Sequence, residues 1–223
     1  MKFTYYGHAC FLIDTGSEKL LFDPFLNGNP HAAVRAEEVE CDYILLSHAH
    51  GDHFGDADAI AARTGAAVIA IPEVLGLFTK EPRTAYPMNL GGTVKLPFGK
   101  VTMTPALHSA GVAGGVACGF LIQFGGGVNV YFAGDTALFS DMKLIGEDTP
   151  IHYAVLPIGD NYTMGPKDAV KAAKLLGAQR VIPIHYNTWP VIAQDPAQFA
   201  SLAEQSGVTP LIAAVGESLT LRK

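Results

Sequence analysis

Polar and apolar positions change rhythm along this chain. In the first third they alternate in short runs, and Phe3–Tyr6, Cys10–Asp14 and Lys19–Phe22 read as strands separated by Gly7 and by the turn Asp14-Thr15-Gly16-Ser17. Tyr43-Ile44-Leu45-Leu46 is apolar throughout, the pattern of a strand covered on both faces. Further on, Asp56 can cap a helix through about Arg63 that Gly65 ends. Ala67–Ile71 is the next strand, and Pro72 opens a short helix to about Phe78. Residues 79–92 are turn-rich and irregular. Strands resume at Val94–Leu96, Val101–Thr104, Gly119–Phe124 and Val128–Phe132. The second half then alternates strand with helix: strand Ala154–Leu156, helix Pro166–Leu176, strand Val181–Ile184, and a helix from Asp195-Pro196 to about Gln205. Strands Leu211–Ala214 and Ser218–Leu221 close the chain. No linker or short repeat interrupts this order, which predicts an α/β mixture in one domain spanning 1–223.

Several apolar strands are followed by a residue able to bind metal. Asp23 follows Leu20-Leu21-Phe22, His48 follows Ile44-Leu45-Leu46, Asp135 follows Val130-Tyr131-Phe132, and His185 follows Val181-Ile182-Pro183-Ile184. Ligands collect outside strand ends in sheets covered by helices, so four such residues predict one site. The densest part is Ser47–Asp56, SHAHGDHFGD, where His48, His50 and His53 fall within six residues and Asp52 stands between the last two. In an irregular loop, side chains at i and i+2 can converge on one cation while i+4 and i+5 reach a second. Gly51 would let the backbone turn between the pairs. Imidazole with carboxylate favours Zn, Mn or Fe over Ca or Mg.

Composition narrows the setting. Hydrophobic residues make up 49% and charged residues 16%, which points to a folded core rather than a disordered chain. Cys10, Cys41 and Cys118 are widely spaced with no C-x-x-C pair, so buried thiols are expected rather than disulfides or a thiolate zinc site. A net charge of −6 without a basic run disfavours nucleic acid as a partner. No apolar run approaches the ~20 residues of a membrane span, and MKFTYYGHAC lacks the apolar block of a signal peptide. These features lead to an expected cytoplasmic protein with a small-molecule substrate and no membrane partner; a homo-oligomer stays open.

The run SHAHGDH resembles the H-x-H-x-D-H signature of the metallo-β-lactamase superfamily, and the other pieces follow in order: Asp23 in FDPF, His108 in TPALHSA, Asp135 in FAGDT and His185 in IPIHYNT. YGHAC, GDNYTMGP and PIHYNT are most similar to small stand-alone metal-dependent hydrolases related to L-ascorbate-6-phosphate lactonase. The resemblance implies an α+β fold, the four-layer αβ/βα sandwich, with two mixed sheets face to face and helices outside. It also implies a dinuclear site holding two divalent transition metal ions, zinc ahead of manganese or iron. His48, His50 and His108 would hold the first ion and Asp52, His53 and His185 the second, with Asp135 bridging. Asp23 would stand behind them and fix a ligand histidine in its tautomer. A water shared between the ions is the implied nucleophile, oriented by Asp52. The substrate is expected to be a small ester-like compound: a lactone, ester, amide or phosphodiester.

Other residues are placed by weaker signals. His8 is either a structural hydrogen bonder or, as the resemblance implies for a Gly-His near the cleft, a catalytic residue in substrate contact or proton transfer. His31 and His152 read as surface residues. Asn161 and Tyr162, in a loop after a strand, either line the substrate pocket or merely connect to the next helix. Lys167, Lys171 and Lys174 recur at helical spacing as a solvated face. Gly111–Gly119 lacks the lysine and Ser/Thr of a phosphate loop, and local flexibility beside His108 is the inference there. Two other functions compete. A metal-binding protein without catalysis would need a closed site. A metal-dependent oxidoreductase of the flavin-linked di-iron kind would resemble H-x-E-x-D-H, whereas His50 stands at the glutamate position.

Overall fold

Strand β1 (Lys2–Gly7) opens the chain with alternating burial and pairs antiparallel with β2 (Cys10–Asp14), which pairs antiparallel with β3 (Lys19–Phe22). Then the connections change. β4 (Tyr43–Leu45), β5 (Ala67–Ala70) and β6 (Ala85–Pro87) add in parallel, because helical or looped segments intervene. The computed structural model describes residues 1–223, and its second sheet repeats this plan. β7 (Thr93–Leu96), β8 (Gly99–Pro105), β9 (Cys118–Phe124) and β10 (Asn129–Phe132) form an antiparallel meander. β11 (Tyr153–Pro157), β12 (Arg180–Ile184) and β13 (Thr209–Pro210) extend it in parallel. β14 (Ser218–Thr220) returns to the first sheet beside β1. Each sheet therefore has seven strands.

The two sheets face each other. Phe132 on the second sheet meets Phe11 and Phe22 of the first edge-on, with centroids 5.2 and 5.6 Å apart. Alternation along the second sheet then decides what lies outside. Phe120, Ile122, Val130 and Phe132 point into the inter-sheet core. Leu121, Tyr131, Ala154 and Leu156 point out against α5 (Pro166–Leu175) and α6 (Pro196–Gln205). On the first sheet, α2 (Ala57–Thr64) and α3 (Pro72–Leu75) bring Ile60, Ala61 and Val74 to the opposite face. The result is the four-layer αβ/βα sandwich, with helices outside two mixed sheets.

Four local expectations need correction. The irregular stretch 79–92 contains β6, a three-residue edge strand whose residues are all at least partly exposed, so it has no apolar alternation to read. Helix α4 (Met142–Glu147) was also absent from the pattern, because only Met142 of its residues is buried. Leu211–Ala214 is not a strand. After β13 the chain donates once more, from Leu211 N to Val181 O, then leaves the second sheet to reach β1. Asp56 stands at the N-cap of α2, yet its carboxylate accepts from Leu26 N and Asn27 N, each at 2.9 Å. It therefore straps down the loop that follows Asp23 instead of capping the helix.

Candidate metal centre

β1, β3 and β4 run in one direction in the first sheet, and β8, β10 and β12 run together in the second. Their ends deliver His8, Asp23, the His48 segment, His108, Asp135 and His185 to one edge of the sandwich. The histidine cluster is not an irregular loop. After His50 the chain makes one helical turn, α1 (Gly51–Phe54), which carries Asp52 and His53. Gly51 needs no special backbone conformation there, and a side chain at its Cβ would meet nothing within 4 Å. The glycine that matters is Gly111, with φ +71. A Cβ on it would lie 2.7 Å from His50 Cδ2 and 2.8 Å from His50 N, so the 111–119 segment is a close-fitting backstop to His50.

All six non-glycine residues with positive φ lie at or beside this edge: His8, Asp23, Asp160, Asn161, His185 and Asn187. Each such residue costs about 1–3 kcal/mol, a strain that collects at functional sites.

Buried hydrogen bonds fix the ring states. Asp23, fully buried, accepts from Ser47 N at 2.8 Å, from Ser47 Oγ, and from His53 Nδ1 at 2.8 Å. A carboxylate only accepts, so His53 carries its hydrogen on Nδ1 and turns the Nε2 lone pair outward. The Ser47 hydroxyl hydrogen is spent on Asp23, so Ser47 Oγ must accept from His48 Nδ1 at 2.9 Å. His48 Nε2 is thereby left without a hydrogen and accepts from His50 Nδ1 at 2.9 Å. One carboxylate thus sets two tautomers, the second through a serine that sequence reading passed over.

Three groups of donors converge, and the one made of Asp23, His48 and His53 is the hydrogen-bonded support just described, which leaves two facing the cleft. His48, His50 and His108 form one, and Asp52, His53 and His185 with His8 form the other, each with ligand atoms within 4.8 Å of one another. Asp135 Oδ2 lies 3.2 Å from His53 Nε2, 3.1 Å from His185 Nε2 and 3.7 Å from His108 Nε2, so it reaches both groups. Yet His53 Nε2, both ring nitrogens of His185 and Asp135 Oδ1 are buried with no hydrogen-bond partner. These buried nitrogens and carboxylate oxygens crowd one point with their bonding capacity incompletely met, and a cation there would meet that need.

The electrostatics agree. Burial, with a contribution from His53, pushes His48 down to about 2, so its ring is a neutral donor. Burial also lowers His108. Burial works against ionising Asp135, but His53 and His185 outweigh it and hold the carboxyl well below its usual range. Asp52 is likewise lowered despite burial, by the hydrogen bond from His8 and by the charges of His53 and His8. His53 is the exception. Burial lowers it, but Asp135 and Asp23, one facing each ring nitrogen, raise it well above the usual value.

His8 is 2% exposed, and burial pushes it down to about 4 against the pull of Asp52. Its Nε2 lies 3.1 Å from Asp52 Oδ2 and its Nδ1 2.8 Å from Thr188 Oγ1. Since Asp52 is ionised, Nε2 carries the hydrogen and Nδ1 accepts from Thr188. The His8 carbonyl accepts from Tyr5 Oη at 2.8 Å and from His185 N at 2.7 Å, which ties β1 to the end of β12.

A cleft of about 600 Å³ opens onto this centre, lined by His50, Asp52, His108, Asp135 and His185 together with Ser109 and an apolar wall. Tyr162 is in that lining and Asn161 is not. Asp160 and Asn161, both left-handed, form the turn that presents Tyr162. Ser109 Oγ lies 3.3 Å from His50 Nε2 across the chain. The lining residues Phe25, Trp189 and Val191 were missed, as was Thr188, which holds His8. The chain's sole tryptophan directly after PIHYNT was the available signal. A separate hollow of about 720 Å³ is lined by His8 and the exposed His31 and by none of the residues that line the cleft. His152 is buried rather than on the surface, because its Nδ1 accepts from Asn129 N at 3.0 Å where β10 begins. No helix is long and apolar enough to cross a membrane.

Known proteins resemble this chain in sequence and fold. A family model described as the beta-lactamase superfamily domain matches residues 10–186. A UPF0173 metal-dependent hydrolase of Pelotomaculum thermopropionicum is 46% identical over 230 residues, covering 99% of this chain and 100% of that protein. Another from Natranaerobius thermophilus is 45% identical over 222 residues, with 99% and 100% covered. Among solved structures, Igni18, a metallo hydrolase from the hyperthermophilic archaeon Ignicoccus hospitalis, superimposes with a TM-score of 0.92 at 37% identity. That match covers 100% of this chain and 98% of Igni18.

Proposed function

This chain belongs to the metallo-β-lactamase superfamily and is a metal-dependent hydrolase, and on that premise we propose that it is a dinuclear enzyme cleaving a small ester-like substrate. The observation that carries the second metal is the position of Asp135. Its Oδ2 lies within 3.1–3.7 Å of ring nitrogens from both donor groups, while its other oxygen is buried without a partner. His48, His50 and His108 would hold one divalent ion, and Asp52, His53 and His185 the other. A nitrogen-rich set with two carboxylates suits zinc, with manganese or iron as the alternatives.

Bound there, the two ions would supply Lewis acidity, lowering the pKa of water and polarising the oxygen of the scissile bond. The chain's own residues do the rest. Asp23 and Ser47 keep the His53 and His48 lone pairs aimed at the centre. Asp52 is 27% exposed at its side chain, enough to meet a water in the cleft, orient it and take its proton. His8 does not compete for that water. Its Nε2–H is given to Asp52 Oδ2, which fixes the carboxylate while Thr188 fixes His8.

Elemental analysis of purified protein should find close to two metal equivalents, alongside turnover of lactones, esters or phosphodiesters. Asp135→Ala should lose metal and activity together. Full hydrolysis by that variant would refute the assignment.

A further inference from the structure

The cleft's second wall is apolar and uncharged. Phe25, Tyr162, Trp189 and Val191 line it, and no lysine or arginine does. The Phe25 and Trp189 rings lie 6.1 Å apart, and Trp189 meets the His8 ring edge-on at 5.0 Å, so the indole is braced from behind by the site itself. Tyr162 and Val191 stand at 56% and 51% exposure. Large apolar groups kept in water at the rim of a site gain free energy when a ligand covers them.

Charge points the same way. A phosphate or carboxylate on the part of a substrate remote from the reacting bond must find a donor that repays its lost hydration. The nearby lysines do not serve. Lys167 and Lys171 of α5 face a separate hollow that also contains Asp160 and Asp168, and Lys171 Nζ is bonded to Asp168 Oδ1 at 2.9 Å.

We propose that the substrate is an uncharged ester or lactone carrying an aromatic or branched alkyl group that packs against Trp189, Phe25, Tyr162 and Val191, and that phosphorylated or carboxylated metabolites are excluded. This rests on the hydrolase reading above. In the reaction the acyl C–O bond breaks and a C–OH bond forms from water, whose other proton passes to the departing alcohol oxygen.

The test uses matched methyl esters and the metal-loaded protein. Methyl 3-phenylpropanoate and monomethyl succinate share the reacting ester and differ in phenyl against carboxylate. The phenyl ester should be favoured in kcat/KM by about a hundredfold, since the carboxylate would be desolvated unpaired. Trp189→Ala should cut that ratio about tenfold through KM, and Trp189→Phe should restore most of it. Val191→Lys, at an exposed rim position, should raise kcat/KM for the succinate. Because Trp189 is the only tryptophan, its emission also reports binding of N-benzylacetamide without any turnover. Metal-dependent hydrolysis that favours the succinate, or a ratio indifferent to Trp189→Ala, overturns this inference alone. No turnover of either ester, with saturable N-benzylacetamide binding, sinks ester hydrolysis and supports the apolar site. Neither turnover nor binding overturns both.

Discussion

Asp23→Asn isolates the role of a residue that touches no substrate. Asparagine has the shape of aspartate and tolerates the left-handed backbone found here, φ +38. The variant therefore changes hydrogen-bond polarity and little else. If the amide oxygen keeps its bond from Ser47 N, the NH2 group faces Ser47 Oγ and His53 Nδ1, both of which donated to the carboxylate. His53 must then accept at Nδ1 and carry its hydrogen on Nε2, where a cation would bind. Ser47 accepts from the amide and donates to His48 Nδ1, which moves the His48 hydrogen to Nε2 as well. Flipping the amide instead sets NH2 against a buried backbone N–H, at a cost of about 1–3 kcal/mol. Loss of such a supporting partner weakens metal binding about 10–100-fold, or about 1.4–2.8 kcal/mol, and here one change strikes both donor groups. Competition with a chromophoric chelator, with circular dichroism to confirm the fold, measures it. Ser47→Ala is the control: His53 stays anchored, so only the His48 group should weaken. A folded Asp23→Asn protein that holds both metals within about twofold of wild type would refute the reasoning.

Two further outcomes follow from the same geometry. Gly111→Ala forces an L-side chain into φ +71 and against His50 N; it should cost about 1–3 kcal/mol, lower Tm by about 3–10 °C, and lose metal from the His50 group first. Metal binding should also release a proton. In the metal-free protein His53 is held well above its usual value, so near neutral pH the ring is protonated and must shed its Nε2 proton to become a ligand. Affinity should fall about tenfold per pH unit for each proton released as the solution is acidified. Calorimetry in two buffers of different ionisation enthalpy counts that proton, and a count of zero would contradict the assignment of His53.

The candidate donors that the fold gathers at one edge were legible from two patterns: the spacing within SHAHGDH and the position of Asp23, Asp135 and His185 close after apolar strands. Strand ends are set by burial, which sequence displays well. What failed to show had little burial behind it. β6 is an edge strand with no covered face, and α4 buries one residue of six. Gly51 starts a regular helical turn that needs no glycine, while Gly111, sixty residues on, is the glycine that a close approach to His50 requires. A close approach between distant segments leaves no periodic trace. The same holds for Ser47 and Thr188, small polar residues whose importance lies wholly in the ring nitrogens they meet.

The site is also a seam. Asp23, His48, His50 and His53 belong to the first sheet, and His108, Asp135 and His185 to the second, so neither half holds a complete donor set. The protein alone leaves buried lone pairs unmet and backbone strained where the halves meet. Away from the site, the stacked Phe11 and Phe22 rings, met edge-on by Phe132, and the rest of the inter-sheet core hold the sheets together. The aromatic core thus carries the cost of a centre whose donors are incompletely bonded. Cations bridging the seam would bind the folded state selectively, so their binding energy would add to folding stability. His8 extends the coupling, with its carbonyl bonded to His185 N and its ring to Asp52.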